Sequence, residues 1–152
     1  MDYTQFDLAT KLGILFSGIF LWVGMLTGVW KYLQIRKSAQ SRAHYYVDIA
    51  HRSSLLYAPA TLILAVMAEI SALNDQINLL AISVNIGFFS FSILSYILHG
   101  FLQDTTNQFR APHQIGQFHL PKILMTLAML ALVIAELGGT IVLLWGTYLG
   151  MF

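Results

Sequence analysis

Long apolar runs separated by short polar ones organise this chain. Leu12 to Trp30 is uncharged between Lys11 and Lys31, and about 20 apolar residues are enough for a helix to cross the hydrocarbon core of a bilayer. A second run extends from Ser53 to about Leu73, interrupted by Glu69 and carrying Pro59. In lipid such a proline kinks its helix or is accommodated by neighbouring ones. The polar segment from about Ser38 is read as a cytoplasmic extension of this second helix. The third run, Gln76 to Gln103, has no Asp, Glu, Lys or Arg and follows the turn residues Asn74 and Asp75. The fourth runs from about Ile123 to Phe152, after Pro121 and Lys122, with Glu136 near its middle. The pattern predicts an all-α fold: one domain over residues 1–152, an integral membrane bundle of four transmembrane helices. Between spans three and four, Asp104 to Pro121 is rich in Asn, Gln, Arg and His. Two readings stand for it, a lid over the bundle or a plain connector.

Composition strengthens the membrane reading. The chain is 57% hydrophobic and 10% charged, with mean hydropathy +0.69, against about 25% charged residues in ordinary soluble domains. The first span lacks a small-residue cleavage site and is expected to be retained as a helix, not removed as a signal peptide. A formal net charge of +1 provides no basic stripe for tracking phosphates, so nucleic acid is not expected as a partner. The absence of cysteine excludes thiolate ligands and nucleophiles. His, Tyr, Asn and carboxylates are left for any chemistry.

The positions of the basic residues predict sidedness. Lys31, Arg36, Lys37, Arg42 and Arg52 cluster in and around the first connection, Arg110 and Lys122 in the third, and Lys11 alone lies at the other side. The positive-inside rule places the first and third loops in the cytoplasm and both termini on the non-cytoplasmic side.

Polar groups within a span are costly and mark cavities, partners or packed seams. His44, Asp48 and His51 share a face of the second helix, with Arg52 beside them. On the third, Asn85, Phe89, Ser92, Tyr96 and His99 form one stripe at spacings of three and four. Small hydroxyl residues such as Ser92 fit a packed seam, whereas Tyr96 and His99 need polar partners if buried. His51, Tyr57, Tyr96, His99, His113 and His119 are therefore expected to converge near the cytoplasmic boundary. Imidazole is the natural protein ligand there for a haem iron or another transition metal. Glu69 and Glu136 fall in the outer half, read either as an ion-paired or protonated structural pair or as part of an ion path. Gly28, Gly138 and Gly139 provide small surfaces for close helix packing.

Over roughly half the chain, from Arg42 through the third helix and its following loop, the sequence resembles the styrene oxide isomerase family of small bacterial four-helix membrane enzymes. The resemblance rests on Arg42-Ala43-His44, on Ala50-His51, on Tyr96 forty-five residues after His51, and on Asn107, Arg110 and Pro112 in the loop. It implies a homotrimer in a bacterial inner membrane, with haem b bound between subunits and His51 as axial ligand. It also implies an epoxide substrate, small and aromatic or lipophilic, opened to an aldehyde on ferric iron without net redox change. Tyr96 matches the family tyrosine that helps to hold the oxygen. Phe89 is expected to line the cavity and contact the cofactor, with His99 nearby as a second cofactor-binding group. Six residues after the ligand histidine the family carries Asn and this chain has Tyr57, which removes an amide and places a bulkier phenol beside the proposed iron.

Two further classes stay open at this level. One is a non-catalytic or electron-transfer haem protein in which His51 and His99 both ligate iron. The other is a cofactor-free transporter or assembly subunit.

Overall fold

The computed structural model describes residues 6–152. Four helices dominate it: α1 (Leu8–Lys37), α2 (Tyr45–Ile70), α3 (Asp75–Leu102) and α4 (Lys122–Met151). Each is long and apolar enough to cross a membrane. At 1.5 Å per residue, the 26 residues of the shortest, α2, already span about 39 Å, beyond the ~30 Å hydrocarbon core. Their outward faces carry Leu15, Trp22, Leu62, Leu94, Leu130 and Leu137, all at least 45% exposed, as expected where lipid covers the bundle.

Local chemistry sets most helix ends. The Asn74 side chain accepts a hydrogen bond from the Gln76 amide at 2.8 Å, and His44 Nδ1 accepts from the Tyr46 amide at 3.4 Å. These capping bonds satisfy amides that have no partner within the helix. Gln103 adopts a left-handed conformation and donates its N–H to His99 O, ending α3. The expected extension of α2 back to Ser38 does not form. Its start waits for the His44 cap, and residues 38–44 make a turn in which Ser41 has φ 52°.

The core lies on the α2–α3 pair. α1 packs chiefly on α2, α4 packs on α3 and α2, and α1 and α4 hardly touch, so they flank the central pair from opposite sides. Close approach of α1 depends on Gly13, where a Cβ would come within 2.6 Å of both Ala65 Cβ and Ile82 Cδ1. Interhelical hydrogen bonds add to the packing. Ser17 Oγ donates to Ala58 O at 2.8 Å, Thr147 Oγ1 to Met67 O at 3.1 Å and Thr140 Oγ1 to Asn85 Oδ1 at 3.3 Å. The polar stripe on α3 faces inward, with Asn85, Phe89, Ser92 and His99 all buried.

The loop between α3 and α4 is a lid with structure of its own. Within it, β1 (His113–Ile115) and β2 (Phe118–Leu120) pair antiparallel. The lid is tied down by Tyr46, whose hydroxyl accepts from the Gln108 amide, and by Ser95 Oγ, which bonds Gln108 Oε1 at 3.2 Å.

Candidate functional site

The polar groups do not gather at one point; they form two centres on opposite sides of the α2–α3 pair. Tyr57 follows His51 by six residues, which at 3.6 residues per turn rotates it about 120° around α2. His51 therefore meets α1, whereas Tyr57 turns toward α3 and α4.

On the α1 side, His51 lies against Gly28, where a Cβ would come within 2.8 Å of its Cε1 atom. Its Nδ1 sits 2.8 Å from Gly24 O. A carbonyl only accepts, so Nδ1 carries a proton, and in the neutral ring the lone pair is on Nε2. Metal-ligating histidines are commonly oriented in this way, by the N–H of the ring nitrogen that does not bind the metal. One turn away, Asp48 pairs with Lys31 at 2.6 Å and with Arg52 at 2.8 Å, which places cationic side chains close to the half-buried imidazole.

On the α4 side, a cavity of about 190 Å³ lies between α3, α4 and the lid. Its polar lining includes Tyr57, Ser92, Ser95, Tyr96, His99 and His113, and the remainder is mostly apolar. The Tyr57 ring stacks on Phe89 at 4.2 Å, and Phe20 meets the other side of this aromatic group, 6.5 Å from Phe89. Phe89 thus backs Tyr57 within the core and is not among the cavity-lining residues. Tyr96 stacks on Tyr46 at 6.0 Å, and Tyr46 also packs on His99 at 5.1 Å.

His99 is 3% exposed. Its Nδ1 bonds Asp104 Oδ1 at 2.8 Å, and Asp104 Oδ2 accepts from the Gly116 amide at 2.6 Å. Burial alone would raise the Asp104 pKa. The Gly116 and His99 hydrogen bonds outweigh it and hold the carboxyl below its ordinary value, so it is a carboxylate at neutral pH. His113, 8% exposed, bonds Gln108 O through Nδ1 at 3.0 Å.

The structure divides the expected convergence. Tyr57, Tyr96, His99 and His113 share the cavity, His51 belongs to the α1 side, and His119 is exposed on the lid beside Gln114. Ligation of one iron by His51 and His99 of the same chain is not favoured, because the two rings are held by different neighbours. The expected Glu69–Glu136 pair is also absent, since no hydrogen bond joins them and Glu69 is exposed. Glu136 Oε1 is buried without a hydrogen-bond partner. Sequence reasoning missed the Asp104 latch, although an acidic residue five positions after a helical histidine was its visible signal.

Among the described residues, no group of three or more His, Asp or Glu side chains is placed to hold a bare metal ion. A haem brings four nitrogens of its own and takes axial ligands singly, so it does not need such a group. No protein-family model, curated protein or solved structure matches the chain.

Proposed function

We propose that this chain is an integral membrane isomerase of the styrene oxide isomerase type, with haem b held by His51. The observation that carries the reading is the seat of His51, where Gly28 leaves room for the ring and Gly24 O holds Nδ1, so that Nε2 is the ring nitrogen left for a metal. Lys31 and Arg52, gathered on Asp48 one turn before His51, suit the propionates of the cofactor. When bound, ferric haem supplies Lewis acidity toward an epoxide oxygen, so that ring opening and a 1,2-hydride shift give an aldehyde without net redox change.

The residues of the chain position the substrate and keep it dry. The Tyr96 and Tyr57 hydroxyls are the donors available to hold a ligand oxygen. Apolar walls of α4 and the lid exclude water, which would otherwise trap a cationic intermediate. His51 and Tyr96 lie on opposite sides of one chain, and a site shared between subunits reconciles them: one chain of a homotrimer supplies the ligand and another the hydroxyl. The distribution of basic residues supports a bacterial inner-membrane protein with its first and third loops in the cytoplasm.

An absorption spectrum of the detergent-purified protein, after haem-replete expression and again after dithionite, tests the reading. A Soret band is expected in the wild type, lost in His51→Ala and kept in His99→Ala. Absence of the band in the wild type overturns the proposal, and equal loss in both variants points to bis-histidine electron transfer. With haem established, conversion of styrene oxide to phenylacetaldehyde is the expected activity.

A further inference from the structure

We propose that the cavity under the lid is a ligand site in its own right, built to receive a small lipophilic alcohol through two imidazole acceptors, His99 and His113. This inference shares Tyr57 and Tyr96 with the substrate site of the proposed function but does not require haem to be bound, because His51 of the same chain lies on the far side of the α2–α3 pair.

Both imidazoles are fixed in the same sense. His99 Nδ1 faces the Asp104 carboxylate and His113 Nδ1 faces the Gln108 carbonyl. Each of those oxygens can only accept, so each Nδ1 donates its proton, and in the neutral form of the ring the lone pair is on Nε2. The two rings are among the residues that line the cavity, and both are more than nine-tenths buried. An acceptor facing a largely apolar cavity favours a partner that donates, since a lost hydrogen bond there is only poorly replaced by water. Tyr57 and Tyr96 belong to the same lining. An alcohol matches the full set, donating to an imidazole while accepting from a phenol.

Size and polarity narrow the class. The cavity measures about 190 Å³, and an apolar cavity of about 150 Å³ holds benzene. One ring with a short side chain therefore fits. The methionine and leucine side chains of α4 suit its apolar part.

The pair 1-phenylethanol and acetophenone tests this directly, because the two have nearly the same shape and only the alcohol donates. Binding is measured by ligand-observed NMR on the full chain in nanodiscs, in a His51→Ala background, with empty nanodiscs subtracted for partitioning. The expected result is a roughly tenfold preference for the alcohol, the worth of one buried hydrogen bond made against one left unmade. Asp104→Asn is the decisive variant. Its amide oxygen can still accept from Gly116, and its NH₂ donates to His99 Nδ1, which moves the imidazole proton to Nε2. The preference should then fall to parity or reverse, with the exchanged tautomer visible in ¹⁵N imidazole shifts. His99→Phe preserves a ring against Tyr46 and should also abolish the preference, which covers a failure of Asp104→Asn to fold. Equal binding of the two probes to the parent protein, or a ratio unchanged in the variants that fold, overturns the proposal. Failure of the haem reading would appear separately, as a missing Soret band in protein that still discriminates the probes.

Discussion

Replacing Asp104 with Ala should release the hairpin end of the lid while leaving the bundle folded. The carboxylate accepts from His99 at 2.8 Å and from Gly116 at 2.6 Å, and hydrogen bonds to a charged group contribute about 1.5–3 kcal/mol each. The sum is about 3–6 kcal/mol, but the Gly116 amide can turn to water once the hairpin lifts. The lower end, about 3 kcal/mol, is therefore the appropriate figure for the opening equilibrium. At 1.4 kcal/mol per tenfold this corresponds to roughly 150-fold faster opening-limited exchange. Hydrogen exchange of the 113–120 amides measures it, with the α3 amides as internal reference. Tyr46 still holds the Gln108 amide, so the early part of the loop should keep its protection. Hairpin exchange within threefold of wild type would refute the latch. A parallel rise along α3 would show global loosening instead.

The latch should also respond to acid in a defined window. The folded-state pKa of Asp104 is lowered, so its contribution is fully present above the ordinary carboxylate value near pH 4 and is lost as pH falls further, through the folded-state pKa. Hairpin protection followed from pH 7 to 3 should hold to about pH 4 before declining; a decline centred above pH 5 contradicts the assignment. Gly13→Leu should destabilise the bundle by about 1–3 kcal/mol through overpacking against Ala65 and Ile82. Gly18→Leu, with nothing within 4 Å of its Cβ, should leave unfolding of the solubilised protein unchanged, and similar behaviour of the two would sink the packing argument. A double-mutant cycle between Asn85→Ala and Thr140→Ala should return a coupling of about 0.6 kcal/mol, and additivity would remove the hydrogen bond from the account of α3–α4 association.

Much of the fold was legible in the chain because a bilayer leaves few alternatives. Uncharged runs of this length must satisfy their backbone internally and must be helical, and the runs beginning at Leu12, Ser53, Gln76 and Ile123 each fall on an observed helix. Helical periodicity likewise placed Asn85, Phe89, Ser92 and His99 on one buried face. The lid hairpin was not legible, since strands of three polar and mixed residues carry too little alternation to distinguish them from loop.

The sequence by itself determined the number of spans, the polar stripe and the chemical inventory, because those follow from hydropathy, helical pitch and the absence of cysteine. Only the tertiary structure decided which groups meet. Depth in the bilayer grouped His51 with Tyr96 and His99. The packing of α1 on one side of the α2–α3 pair and α4 on the other separated them, because residues at the same height on a helix are neighbours only if they share its face. The tautomers of His51, His99 and His113 were likewise beyond the sequence. Each depends on a particular oxygen, Gly24 O, Asp104 Oδ1 or Gln108 O, being brought within hydrogen-bonding distance by the fold.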